Sequence, residues 1–94
     1  MIIIFDKKFD KKFDKLSLKV QEKFYERLEV FKINQSNVIL SNHKLTGEYD
    51  EYRSINITGN YRAVYEVVIE RKKEVYVFSQ LELILNYTNK KIVL

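Results

Sequence analysis

The chain has 94 residues, 46% of them hydrophobic, and a formal net charge of +4 from 17 Lys and Arg against 13 Asp and Glu. With no cysteine and a lone histidine, it offers no disulfide framework, thiolate metal site or multi-histidine cluster; its carboxylates are not spaced like a calcium loop, no run approaches membrane-spanning length, and the apolar start, cut short by Asp6, is too brief for a secretion signal. These features describe one domain over residues 1–94 in a reducing compartment, read as the cytoplasm, and the basic balance suits a polyanionic or acidic partner as well as a Lys-rich solubilising surface.

Met1 to Phe5 reads as a strand. A Phe-Asp-Lys-Lys pattern then runs from Phe5 to Leu16. Its period puts Phe5, Phe9 and Phe13 on one helical stripe and the lysines on the other side, so Asp6 to Leu16 is read as a first helix. Lys7, Lys8, Lys11, Lys12 and Lys15 make a basic face, which fits phosphate contacts and an ordinary solvated surface alike. Ser17 can cap a second helix, since its hydroxyl can accept a free amide of the next turn. That helix runs from about Leu18 to Ile33, with Val20, Phe24, Leu28 and Phe31 as its buried face. Asn34 ends it, as a residue that tolerates the left-handed conformation. The tight corner at Ser17 makes the two helices an antiparallel hairpin.

Residues 35–48 read as loop with some short structure. From Tyr49 the period changes to two. Arg53, Ile55 and Ile57 fall on one face, Tyr52, Ser54 and Asn56 on the other. Thr58-Gly59-Asn60 is the turn, with Gly59 able to supply a positive φ, and Tyr61 to Ile69 is the return strand. A three-residue loop places Asn56 opposite Arg62; a four-residue loop would place Ile57 there instead. Glu70-Arg71-Lys72-Lys73 is a second turn, and Glu74 to about Gln80 a third strand that continues into the leucine-rich stretch after it. Ile2 to Ile4 are covered if the first strand joins this meander. The sum is an α+β architecture, β-α-α-β-β-β, with a two-helix hairpin packed on one face of a mostly antiparallel sheet.

The chemistry gathers around the hairpin. His43, Lys44, Arg53 and Arg62 with Asn56, Asn60 and several tyrosines lie near one short turn, the combination that holds an RNA phosphate beside a stacked base. His43 is the only side chain whose unperturbed pKa lies near neutrality; the plain alternative is a loop histidine bonded to its own backbone. Arg62 can grip a phosphate through its planar fork, or pair with Glu66. Arg53 shares the parity of Ile55 and Ile57, so it reaches the site only from the frayed start of its strand. Tyr61 can stack on a base, worth about 1–3 kcal/mol, or serve as a packing ring.

The element order, together with His43-Lys44-Leu45-x-Gly47 and Tyr52-Arg53-Ser54-Ile55-Asn56-Ile57-Thr58-Gly59-Asn60-Tyr61-Arg62-Ala63-Val64-Tyr65-Glu66, resembles the RelE/ParE superfamily of toxins, closest to its mRNA-cleaving RelE, YoeB and YafQ types. The resemblance covers roughly residues 2–80. It implies a RelE-like microbial RNase fold and the toxin of a type II toxin–antitoxin system, an endoribonuclease that cuts mRNA on the ribosome through the 2′-hydroxyl with neither metal nor cofactor. Its partners would be a cognate antitoxin, the ribosome and mRNA, with no membrane. Carried over by position, His43 is the base, Arg62 the phosphate-binding arginine, and Lys44, Arg53, Asn56, Asn60 and Tyr61 the RNA contacts. One departure stands out. Cleaving members commonly end the last strand with a Gly-x-His-x-Glu-type segment and an aromatic; here Phe78-Ser79-Gln80-Leu81-Glu82-Leu83 has neither Gly nor His, and the nearest ring is Tyr87, taken as the acid. That departure keeps open a non-catalytic or decayed toxin, gyrase-directed in the ParE manner or a partner-binding module. A small basic RNA-binding domain outside toxin–antitoxin systems is a third reading.

Overall fold

Two short polar side chains set the helices. Asp6 Oδ1 accepts the Phe9 N–H at 2.9 Å and starts α1 (Lys7–Asp14); Ser17 Oγ accepts the Val20 N–H at 3.3 Å and starts α2 (Leu18–Ile33). Each fills one of the amides that a helix start leaves open. Residues 1–83 are described by this computed structural model; Tyr87, Lys90 and Lys91 lie outside the described residues. Asn34 does end α2, but with φ −154° and ψ 101° rather than in the left-handed region. Its side-chain oxygen takes the Ser36 N–H instead, so a local hydrogen bond does the work expected of positive φ.

The strands are β1 (Ile2–Phe5), β2 (His43–Lys44), β3 (Tyr52–Asn56), β4 (Tyr61–Glu70) and β5 (Lys73–Leu83), in the sheet order β1-β5-β4-β3-β2. β1 runs parallel to β5 and every other pair is antiparallel. The architecture is the expected α+β one: two helices on one face of a mixed, mostly antiparallel sheet. β2 is an addition, a two-residue edge strand within the segment read as loop.

The helix-covered face is a cluster of rings and aliphatics. Phe9, Phe24, Phe31, Leu40, Ile55, Ile57, Ala63, Tyr65, Phe78 and Leu81 are buried together, and Phe5 and Phe13 pack at its edge. The phenylalanine repeat is therefore core, while its lysines face solvent. The β4–β5 register shifts between Val64 and Tyr65: Val64 pairs with Gln80, Tyr65 with Phe78, and Ser79 is the extra residue. This bulge keeps Phe78 and Leu81 on the same buried side although they are three residues apart.

Both hairpin turns depart from glycine chemistry. At the first, Ile57 N–H donates to Tyr61 O at 2.9 Å, and Thr58 Oγ1 accepts from the Asn60 and Tyr61 amides at 3.0 and 3.1 Å. Gly59 is not at positive φ; among the described glycines only Gly47 is. The threonine hydroxyl, not glycine's freedom, closes this turn. The loop does have three residues, so Asn56 stands opposite Arg62. At the second turn, Arg71 and Lys72 sit at φ 49° and 66° between the paired Glu70 and Lys73, the geometry of a two-residue hairpin that favours Asn-Gly. Side chains with a Cβ are strained there. Arg71→Asn with Lys72→Gly should stabilise the chain by about 1 kcal/mol after glycine's entropy is subtracted, read as a raised urea midpoint. An unchanged midpoint would mean the turn carries no strain.

Candidate functional site

Because side chains alternate along a strand, the face away from the helices carries its own rows. His43, Ser54, Val64 and Gln80 are register partners across β2, β3, β4 and β5; Asn56, Arg62 and Glu82 form the next row. The centre of the site is Arg62. Its Nε donates to Ser54 Oγ at 2.9 Å, and its Nη2 donates to Ser41 O at 2.8 Å and to Ser54 O at 3.4 Å. The same Nη2 lies 3.1 Å from His43 Nδ1. His43 is exposed, and its Nδ1 also lies 2.9 Å from Ser41 O.

Ser41 supplies the carbonyl that both groups share. It sits at φ 44° and ψ 47° after the 3-10 turn Val38–Leu40, a left-handed conformation that a serine adopts at a cost. The strain turns the carbonyl toward Arg62 and His43. Ser54 is fully buried, and Arg62 Nε is its hydroxyl's partner, so the guanidinium is anchored from the sheet side. The imidazole proton obeys a simple rule here: Nδ1 either donates to Ser41 O or accepts from Arg62, never both. With the proton on Nδ1, the lone pair sits on Nε2, which makes no hydrogen bond among the described residues.

The other residues singled out in the sequence scatter. Asn56 faces Arg62 across the hairpin. Arg53 pairs with Tyr65 and Lys44, so it has the opposite parity from His43 and Arg62. Its Nε donates to Asn42 Oδ1 at 3.0 Å, and Asn42 Nδ2 donates to Tyr65 OH at 2.8 Å and Gln35 O at 3.1 Å. Arg53 is thus held in a polar network on the helix side. Lys44, exposed on β2, lines an open groove of about 720 Å3 with Arg53, Asp50 and Glu51. Asn60 is exposed at the tip, and Tyr61 packs against the core. Tyr87 lies outside the described residues. Three partners were not singled out in the sequence: Ser41, whose left-handed turn has no sequence signal; Asn42, which orients Arg53; and Glu82. Glu82 faces Arg62 in register and holds Lys12 Nζ at 3.5 Å, with its side chain only 11% exposed.

Burial pushes the Tyr65 phenol above its ordinary value of 10.0, against the opposing pull of Asn42 and Arg53. A pKa raised on folding means that the stability is intact below pH 10 and is lost as pH climbs through the folded value. Tyr65→Phe should therefore flatten the alkaline limb of a stability–pH curve above pH 10, while costing about 1 kcal/mol at neutral pH for the one hydrogen bond lost from Asn42, which keeps Gln35 O and Arg53. An alkaline limb unchanged in the variant would count against this assignment.

Comparison with known proteins bears on the fold. The chain has the RelE/ParE toxin fold. It superposes on a YoeB/ParE toxin from Agrobacterium tumefaciens with a TM-score of 0.72 at 17% identity, covering 88% of this chain and 98% of that one. A YoeB dimer structure from Staphylococcus aureus gives 0.66 at 23% identity over 87% and 94%. The toxin–antitoxin complex RelBE of E. coli gives 0.64 at 23% identity over 86% and 93%. No family model matches the sequence, and no curated protein matches it significantly. At these identities the likeness is one of fold. No helix among the described residues is long and apolar enough to cross a membrane.

Proposed function

We propose that this chain, as one domain over residues 1–94, is the toxin of a type II toxin–antitoxin system and cuts mRNA on the ribosome in the cytoplasm. The observation that carries the reading is the 3.1 Å approach of Arg62 Nη2 to the exposed His43 Nδ1 on the sheet face away from the helices. Cleavage through the 2′-hydroxyl needs a base for that proton, positive charge for the developing phosphorane, and an acid for the leaving 5′-oxygen. His43, with its proton on Nδ1 toward Ser41 O, offers Nε2 as the base. Arg62, fixed by Ser54, offers a preorganised guanidinium beside it, and no metal or cofactor has a role. Tyr87 is the proposed acid. Lys44, Asn56 and Asn60 are the proposed RNA contacts; Arg53 and Tyr61 act as supports for them. A cognate antitoxin, which would mask this face, completes the partner set.

Primer-extension mapping of mRNA ends after induced expression tests this. Wild type should yield cuts inside translated regions, and His43→Ala with Arg62→Ala should abolish them. Cuts that persist in the double variant would overturn the residue roles. Growth arrest with gyrase inhibition and intact mRNA would replace the nuclease with a binding toxin.

A further inference from the structure

A second concavity opens on the face that carries Arg62, and its lining suits a nucleobase. The 3-10 turn Gly47–Tyr49 brings Tyr49 against Tyr52, with ring centroids 6.5 Å apart at 60°. These half-buried rings form one wall of an open cavity of about 460 Å3, whose other walls include Lys7, Lys8, Ser79 and Gln80. That volume lies within the roughly 300–1,000 Å3 of small-molecule sites. Lys7 and Lys8 are exposed at the start of α1. Asp6 also lines the cavity, and its Oδ1 accepts the Phe9 amide.

The floor is the β5 bulge. Ser79 is the extra residue, and its Oγ is shielded from water without a hydrogen-bond partner among the described residues. A buried hydroxyl left unmet costs stability, about 1–3 kcal/mol, and bulges often re-aim side chains beside active sites. Gln80, next along the strand, is the register partner of Val64, which is the partner of Ser54. The cavity floor therefore lies two strand spacings, about 10 Å, from the serine that anchors Arg62.

We propose that this cavity is a second nucleotide subsite, holding the base of a residue that flanks the scissile phosphate. The base stacks on Tyr49 with the Tyr52 ring against its edge, the Gln80 amide meets its polar edge, and Lys7 and Lys8 take the adjoining phosphate. This rests on the nuclease reading for its substrate and adds where a neighbouring base is read. An aromatic wall accepts any base by its π face, while an amide that both donates and accepts favours adenine.

The test is a nitrogen-15 NMR titration of the whole chain with an adenosine RNA trinucleotide, 2′-O-methylated so that it cannot be cut. The Gln80 side-chain amide and the backbone amides of Lys7, Lys8, Tyr49 and Tyr52 should shift along with His43 and Arg62, and an abasic central residue should leave the first group still. Tyr49→Leu should weaken binding about ten-fold, with His43 still shifting at saturation. If only the His43 and Arg62 signals move, or Tyr49→Leu binds as wild type, the subsite is wrong and the nuclease reading survives. If none of these signals moves up to millimolar RNA, the subsite fails, and the primer-extension result alone decides the nuclease reading.

Discussion

Arg62→Lys should lower the proposed mRNA cleavage by about 10²–10³-fold. Lysine keeps the charge but not the planar fork. In this site the fork does two jobs: Nε holds Ser54 Oγ while Nη2 reaches Ser41 O and stands beside His43 Nδ1. A point charge on a flexible stem cannot fix both. The substitution also orphans the fully buried Ser54 hydroxyl, at a cost of about 1–3 kcal/mol. A companion variant separates these effects: adding Ser54→Ala removes the orphan and should recover much of the stability without recovering cleavage. His43→Ala alone should cost about 10²–10⁴-fold. Because the two groups share one carbonyl and lie 3.1 Å apart, they act as a unit, and the double variant should be little worse than the weaker single one. Primer extension for cleavage and urea unfolding for stability read out all four proteins. Cleavage by Arg62→Lys within three-fold of wild type would remove Arg62 from the chemistry.

Local signals carried much of this fold. The bounds of α2 and its Ser17 cap follow from helical spacing and one hydroxyl, and both are found. The β3–β4 register follows from a three-residue loop, which places Asn56 against Arg62. Arg53 was readable too, since its parity with Ile55 and Ile57 separates it from Arg62, and the structure ties it to Asn42. What escaped depended on tertiary context. Nothing in the types Ser41 and Asn42 foretells a left-handed serine whose carbonyl serves two functional groups. β2 is too short to show a period. Gly59 and Asn34 depart from the expected positive φ because each has a hydroxyl or amide oxygen at hand that makes it unnecessary. The β5 bulge did leave a trace: buried aromatics fall at Tyr76 and Phe78, then a buried leucine at Leu81, a switch of parity that an unbroken strand cannot make. Ser79, the residue in the gap, is the one whose buried hydroxyl has no hydrogen-bond partner among the described residues.

Phe78→Ala should destabilise the chain by about 3–5 kcal/mol. Phe78 is fully buried and its ring lies 5.1 Å from Tyr65, 5.6 Å from Phe31, 5.7 Å from Phe5, 6.0 Å from Phe9 and 6.1 Å from Phe24, centroid to centroid. It therefore joins β1, β4 and both helices, and truncating it leaves a void that five rigid rings cannot collapse to fill. Phe78→Leu should cost less, about 1–2 kcal/mol, because most of the volume remains. The loss is a large part of the roughly 5–15 kcal/mol that holds a domain folded, so less of the protein should accumulate in cells. Its effect on chemistry should be of another kind from that of Arg62. The Phe78 carbonyl takes the Asp6 amide at 3.1 Å, and that backbone bond outlasts loss of the ring, so the molecules that remain folded keep the sheet that sets His43 beside Arg62. Cleavage per folded molecule should stay within a few-fold of wild type for Phe78→Leu, whereas Arg62→Lys should lose activity at full occupancy of the native state. Urea unfolding combined with cleavage normalised to the folded fraction distinguishes the two, and a Phe78→Ala loss below about 1 kcal/mol would show that this ring is not the centre of the core.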